Sequence, residues 1–231
     1  MSELPPSQFF PPIEAADPDG LIGFGGHLSP DWLLDAYSHG IFPWPMGDDD
    51  LPVPWWSPDP RAVIELDFFH VSHRLKRTCR SERFAATCDR DFRGVIRGCA
   101  TGPGRMGGTW ITPAMIRAYT RLHRLGHAHS VEVWQQDRLV GGVYGVAIAG
   151  LFAAESKFYR VRDASKVALV HLVSHLCARG YSLLDIQQLT PHTARLGAIE
   201  IPRREYLTRL AAALAQPVTF GERLESDMAA L

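Results

Sequence analysis

The sequence predicts an α+β protein built from a small N-terminal domain over residues 1–62 and a larger, regularly patterned domain over 63–231. Three observations carry this. Up to Ala62 the chain is broken repeatedly by glycine and proline and has one short periodic stretch. Beyond Ala62, strand-length apolar runs alternate with helical patterns. Near the middle, "HSVEVWQQDRLVGGVYGVAIAGLFAAES" holds three strand-like runs with Gln136-Asp137 and Ala149-Gly150 at the turns, which reads as an antiparallel meander.

Bulk properties set the frame. The chain has 231 residues, 46% of them hydrophobic, and a formal net charge of -1, which is ordinary globular composition. No apolar run is long enough to span a bilayer, and "MSELPPSQFFPP" lacks the basic start of a signal peptide. The expectation is a cytoplasmic, monomeric protein that contacts no membrane. The four cysteines, Cys79, Cys88, Cys99 and Cys177, form no CxxC pair and read as free thiols in a reducing compartment.

In the first domain, "GLIGFGGHLSP" is a Gly-rich turn. "SPDWLLDAYSHG" is a short helix with Ser29 at its cap, Pro30 at its first position and Gly40 past its end. Leu33, Leu34 and Tyr37 give it an apolar face. The Pro-rich "FPWPMGDDDLPVPWWSPDP" follows, with an acidic loop at Asp48 to Asp50. Its prolines exclude helix, and Trp55 and Trp56 read as a packed corner.

In the second domain, "RAVIELDFF" reads as a strand and "SHRLKRTCRSERF" as a basic helix with Lys76, Arg77, Arg80 and Arg83 close to one face. "RFAATCD" is a short strand, "RDFRGVIRGCA" a helix and "TGPGRMGG" a mobile loop. "TWITPAMIRAYTRLHRLG" predicts a helix capped by Thr112 and ended by Gly126. After the meander, "RDASKVALVHLVSHLCARG" is apolar over much of its girth and predicts a buried helix, capped by Asp163 or Ser165 and ended by Gly180. "YSLLDIQ" is a further strand, and "PRREYLTRLAAALA" a last helix.

Meander, buried helix, strand, helix is the order of the GNAT-type acyltransferase core, which grips an acyl donor where two strands splay apart. The buried helix is preceded here by "ESKFYRVRDAS", with no glycine to wrap a pyrophosphate, which argues against coenzyme A. An acyltransferase of this kind needs another acyl carrier.

Glu155 lies at the end of the third meander strand, and Asp185 and Gln187 lie two apart on "LLDIQQL", so alternation puts both on one face. A carboxylate among Leu183, Leu184 and Ile186 is costly without a partner, so it is either a structural ion pair or part of a site. Trp44, bracketed by prolines, Trp110 and Tyr119 are the aromatic candidates for stacking; rings beside a basic stripe are how single-stranded nucleic acid is held. Trp32 and Trp134 read as core. His127 and His129 lack a third ligand at matching spacing, so no metal is expected, and no GxSxG, Walker loop or HExxH is present.

Taken together, "GGHLSPDWLLDAYSHGIFPW", "WWSPDPRAV", "GTWIT", "AYTRLHRLGHAHSVEVW", "LVGGVYGV", "ESKFYR", "DASKVAL", "LLDIQ" and "HTARLGAIEIPRREY" resemble the leucyl/phenylalanyl-tRNA–protein transferase family, in order, from about Pro5 to Ala215. The resemblance implies a small N-terminal domain on a GNAT-like catalytic domain, and no metal or other cofactor. It implies transfer of leucine, phenylalanine or methionine from aminoacyl-tRNA to an N-terminal arginine or lysine, marking the acceptor protein for the N-degron pathway. The family's catalytic pair falls on Asp185 and Gln187, and its acceptor-recognising glutamate on Glu155. Its contacts to the terminal adenosine and aminoacyl group fall on Trp44 and Trp110, with Tyr37 and Tyr119 nearby. Its side-chain pocket falls on Phe152, Val143 and Leu184, and its tRNA-facing helix on Lys76, Arg77, Arg80 and Arg83. Asp185, oriented with Gln187, is expected to draw a proton from the acceptor's α-ammonium.

Three departures stand out. Lys157 replaces the family's usual methionine beside the pocket, where its amine is expected to turn to solvent or phosphate. His27 stands where aspartate is common, and the loop before "TW" lacks an acidic or amide residue. Two other readings are an aminoacyltransferase acting on a cell-wall precursor, which is usually longer and carries a coiled-coil arm, and a non-catalytic RNA-binding protein, which has no need of Asp185, Gln187 and Glu155 together.

Overall fold

A computed structural model describes residues 4–45, 47, 49–102 and 109–226. The greater part of "TGPGRMGG", and Asp48 of the acidic loop, lie outside the described residues.

The N-terminal lobe is a three-stranded antiparallel sheet with one helix. Its strands β1 (Leu21–Phe24), β2 (Phe42–Pro43) and β3 (Pro54–Trp56) lie in the order β1-β3-β2, and α1 spans Pro30–Ser38. Proline at the first helical turn is pre-set for helix, and Gly40 just past the end takes φ +73°, a conformation L side chains resist. Trp55 is the corner the prolines suggested: it is 2% exposed, donates through its indole N–H to Gly25 O at 2.8 Å, and packs on Phe10 and Trp32.

The rest of the chain builds a seven-stranded sheet, order β10-β4-β9-β8-β7-β6-β5. Its strands are β4 (Arg61–Ile64), β5 (Ala85–Cys88), β6 (Ala128–Gln135), β7 (Arg138–Ile148), β8 (Leu151–Tyr159), β9 (Leu183–Gln187) and β10 (Ala198–Ile201). The meander is β6-β7-β8. The Gln136-Asp137 turn has φ +50° and +57° at its two residues, the twist a two-residue hairpin requires. Strand β10 was not evident in the sequence: four residues of "AIEI" with both central side chains exposed carry too little pattern.

The helices are α2 (His73–Arg80), α3 (Phe92–Thr101), α4 (Pro113–Arg124), α5 (Ala164–Arg179), α6 (Pro191–Ala194) and α7 (Arg203–Leu214). Side chains of α2 and α5 pack with Val131, Val143, Phe152 and Leu184 in one core. On the opposite sheet face, α3 and α4 share a second core with Leu33, Tyr37, Phe42 and Trp55 of the N-terminal lobe, so the two lobes are joined by apolar packing. Thr112 caps α4 as expected, accepting from Met115 N. Asp163 occupies the cap position of α5 without capping it; its carboxylate turns to Arg74 and Lys166 instead. Helix α2 ends at Arg80, so Arg83 is not on its stripe; its guanidinium lies over the Phe84 ring at 4.6 Å. No helix among the described residues is long and apolar enough to cross a membrane.

Candidate active site

The one parallel pair of the large sheet among the described residues places the site. Strands β8 and β9 pair through Leu151–Ala153 and Leu183–Asp185 and then part. On each side of the parting a strand carries a bulge. Across β7 and β8, Gly145 faces Ala154 and Tyr144 faces Ser156, so Glu155 is the extra residue. Across β4 and β9, Ala62 faces Gln187 and Val63 faces Asp185, so Ile186 is extra, and Gln187 takes φ +59°. Bulges re-aim side chains at strand ends. Opposite the first bulge the backbones crowd: a Cβ on Gly145 would lie 2.3 Å from Ala153 O, which is why the third glycine of "GGVYG" is needed.

A cavity of about 260 Å³ fills the opening. Ile64, Val143, Leu169 and Ile186 form its apolar wall, Glu155 and Gln187 its polar floor, and Trp44 and Trp110 meet over it edge-to-face with centroids 6.2 Å apart. Trp44 comes from the small lobe and Trp110 from the entry to α4, so the lip is made by both lobes.

Glu155 is held from two sides. Gln187 donates through Nε2 to Oε1 at 3.1 Å, and Tyr119 donates through its hydroxyl to Oε2 at 3.2 Å. The Tyr119 hydroxyl is in turn hydrogen-bonded to that of Tyr37. Burial raises the Glu155 pKa from 4.5 to about 7; the tyrosine hydrogen bonds and Arg61 pull it down, and the charge of Asp185 pushes it up. Both tyrosines are pushed well above 10, first by burial and then by the Glu155 charge, so they stay protonated donors.

Asp185 is placed differently from the sequence expectation. The bulge at Ile186 breaks the alternation that would have aligned it with Gln187, and Asp185 does not line the cavity. It is 0% exposed, and its oxygens accept from Arg61 Nε at 2.9 Å, Arg61 Nη2 at 2.6 Å, Tyr206 Oη at 2.9 Å and the Gln187 N–H at 2.9 Å. Four donors occupy this carboxylate, and through the Gln187 N–H it holds the strand end that carries the Gln187 side chain. Its partner is Arg61 of "PRAV", a residue that alternation and family motifs do not single out. It is 1% exposed, donates also to Gly40 O at 2.9 Å, and lies between the rings of Phe42 and Tyr206. The signal was available: a lone arginine opening the apolar strand "RAVI" needs a buried carboxylate, and "LLDIQ" offers one.

Other expected residues divide in two. Trp44, Trp110, Val143, Glu155 and Gln187 line the cavity. Phe152 and Leu184, each 0% exposed, sit in the core behind its wall, while Tyr37 at 1% and Tyr119 at 0% reach the site only through Glu155. Ile64, Leu169, Ile186 and Phe42 take the lining positions instead. Lys157 also lines the cavity, and burial lowers its pKa from 10.5. Lys76, Arg77 and Arg80 lie on α2, away from the cavity, with Leu75 and Cys79 as its buried side. His129 is hydrogen-bonded to Asp89 at 2.6 Å and stacked on Phe220, and no group of three metal-ligating side chains comes together among the described residues.

Comparison with known proteins identifies the family. Residues 63–211 match the family model described as leucyl/phenylalanyl-tRNA protein transferase, and residues 26–59 match the model of that family's N-terminal domain. The chain is 51% identical over 220 residues to the leucyl/phenylalanyl-tRNA–protein transferase of Nitratidesulfovibrio vulgaris (strain DP4), covering 94% of this chain and 93% of that protein. It is 52% identical over 220 residues to the transferase of the same name from Anaeromyxobacter sp. (strain Fw109-5), covering 94% and 92%. Among solved structures, L-PGS from Bacillus licheniformis aligns with a TM-score of 0.41 at 11% identity over 68% of this chain and 50% of that one. A GCN5-related N-acetyltransferase from Kribbella flavida aligns with a TM-score of 0.38 at 13% identity over 75% and 61%. These two likenesses are too distant to bear on the chemistry. The extended sequence identity and the two family matches show that this chain belongs to the leucyl/phenylalanyl-tRNA–protein transferase family.

Proposed function

We propose that the protein moves leucine, phenylalanine or methionine from aminoacyl-tRNA to the N-terminal arginine or lysine of an acceptor protein, in the cytoplasm, forming a peptide bond that marks the acceptor for N-degron degradation. One observation carries the reading: a small apolar cavity has, on its floor, a carboxylate whose pKa is about 7 and whose position is fixed by two donors. That pairing suits a reaction joining an apolar acyl group to a cationic amine.

The ester linking amino acid to tRNA is already activated, so the enzyme needs to position it and supply a neutral amine. In the proposed mechanism the terminal adenosine rests against Trp44 and Trp110, and the leucyl or phenylalanyl side chain enters the wall of Ile64, Val143, Leu169 and Ile186. Glu155, as carboxylate, attracts the acceptor's α-ammonium and accepts one proton from it. The amine nitrogen attacks the ester carbonyl and forms the C–N bond. The C–O bond to the terminal ribose then breaks; the departing ribose oxygen takes the proton held by the Glu155 carboxylic acid, and the second proton of the new amide nitrogen passes to the regenerated Glu155 carboxylate and from there to water. Asp185, Arg61 and Tyr206 act through Gln187, whose amide holds the Glu155 oxygen in place. An apolar wall discriminates by shape, at roughly 1–3 kcal/mol per methylene, so overlapping use of leucine, methionine and phenylalanine is expected.

The test is transfer of labelled leucine or phenylalanine from its tRNA to a peptide beginning with arginine, compared with the same peptide beginning with aspartate. Transfer to the arginine peptide alone is expected. Equal transfer to both, or to neither, refutes the proposal.

A further inference from the structure

A second cleft, of about 410 Å³, opens beside the acyl cavity and plays no part in the chemistry above. It is bounded by Ser72 and Arg74 at the start of α2, Asp163 and Lys166 at the start of α5, and His192 and Arg195 around α6. Short helix α6 is the partition. Thr190 and Thr193 face the acyl cavity, while His192 and Arg195 face the cleft.

The charge of the cleft is not balanced. Arg74, Arg162 and Lys166 converge on one carboxylate, Asp163, at 3.3, 3.8 and 3.8 Å. Among the described residues Arg195 has no ion-pair partner, and neither has Lys157 on the adjoining side of the acyl cavity. His192 lies amid these cations: burial lowers its pKa from 6.5, and Lys157, Lys166 and Arg195 push the same way. A neutral imidazole ringed by three cations, open to solvent, makes a patch of positive potential that attracts anions.

We infer that this cleft holds backbone phosphates of the single-stranded 3′ end of the donor nucleic acid, with Lys166 and Arg195 as the contacts and Lys157 as the last cation before the acyl cavity. The inference rests on the donor being an aminoacyl-tRNA. A strand leaving Trp44 and Trp110 and crossing α6 enters the cleft and exits at Arg74, where α2 begins. The next turns of α2 carry Lys76, Arg77 and Arg80, which then meet the duplex that follows. The cleft thus separates two jobs: α2 takes the stem, and Lys166 and Arg195 take the unpaired end. Phosphate contacts of this kind fix register without reading bases.

The experiment measures binding alone, so it is independent of catalysis. An uncharged acceptor-stem minihelix ending in unpaired CCA, and the same duplex cut blunt, are titrated against wild type and a Lys166→Gln, Arg195→Gln double variant over a range of KCl. Neutralising two single-strand phosphates contributes about 1.4 to the slope of log K on log salt, so the variant should bind the overhanging minihelix about tenfold or more weakly, with a slope shallower by about that amount. The blunt duplex should bind both proteins equally, and a charge-preserving Lys166→Arg, Arg195→Lys variant should recover the lost affinity. Unchanged affinity for the overhanging minihelix, or an equal loss on the blunt duplex, overturns the assignment. Failure of the transfer reaction itself would appear in the peptide assay and not here.

Discussion

Glu155→Gln isolates one titrating group whose energetic effect follows from its surroundings. In the folded protein burial lifts the Glu155 pKa from 4.5 to about 7, so the folded state holds a proton that the unfolded chain releases earlier. The stability this contributes is fully present below about pH 4.5 and is lost as pH rises through 7, a span worth roughly 3 kcal/mol. Glutamine keeps the shape and cannot ionise. Urea unfolding of wild type and variant at intervals from pH 4 to pH 8.5 therefore has a defined expectation. The variant should gain stability relative to wild type by roughly 3 kcal/mol in total, with most of the change between about pH 5 and pH 7 and little outside that window. Transfer activity should move the opposite way, because the glutamine cannot accept the amine proton. A stability difference independent of pH would show that Glu155 titrates near its ordinary value and would remove the basis for its role. A variant that gained stability but kept wild-type transfer would refute the mechanism while leaving the electrostatics intact.

Other consequences can be checked separately. Tyr119→Phe deletes a hydrogen bond that lowers the Glu155 pKa, so the rising limb of kcat/KM against pH should move to higher pH; an unmoved limb would mean the hydroxyl does not serve the carboxylate. Arg61→Met leaves Asp185 buried without its cation and should cost about 3–5 kcal/mol in chemical denaturation; a loss under about 1 kcal/mol contradicts the buried pair. Trp44→Ala and Trp110→Ala should raise KM for aminoacyl-tRNA by the equivalent of about 1–3 kcal/mol each with little effect on KM for the peptide, and the reverse pattern would assign the indoles to the acceptor. Phe152→Ala should cost about 3–5 kcal/mol in stability while leaving the leucine-to-phenylalanine preference near wild type, since the ring lies behind the cavity wall; a changed preference with unchanged stability would place it in the pocket.

Local signals in the chain determined most of the elements. Thr112 before Pro113, Gly180 after an apolar helix and Gln136-Asp137 between two alternating runs each act within a few residues, so their effects on the backbone can be read from neighbours alone. The order of meander, buried helix and strand was legible for the same reason, as were the identities of Glu155, Gln187, Trp44 and Trp110 as candidate site residues. Their roles were not equally legible. Alternation along "LLDIQ" put Asp185 and Gln187 on one face, but a single extra residue against β4 turned Gln187 into the cavity and left Asp185 to Arg61, 124 positions away. A bulge is a property of two paired strands, so neither strand alone encodes it. The same holds for Phe152 and Leu184, whose apolar character made them pocket candidates. Which apolar side chain lines the cavity and which stands behind it depends on where β8 and β9 part, and only the packed sheet decides that. Asp185 shows the division most clearly: an acid among leucines signalled that a partner must exist, and only the folded chain, by bringing β4 beside β9, supplied it as Arg61 and enclosed the carboxylate in a buried ion pair.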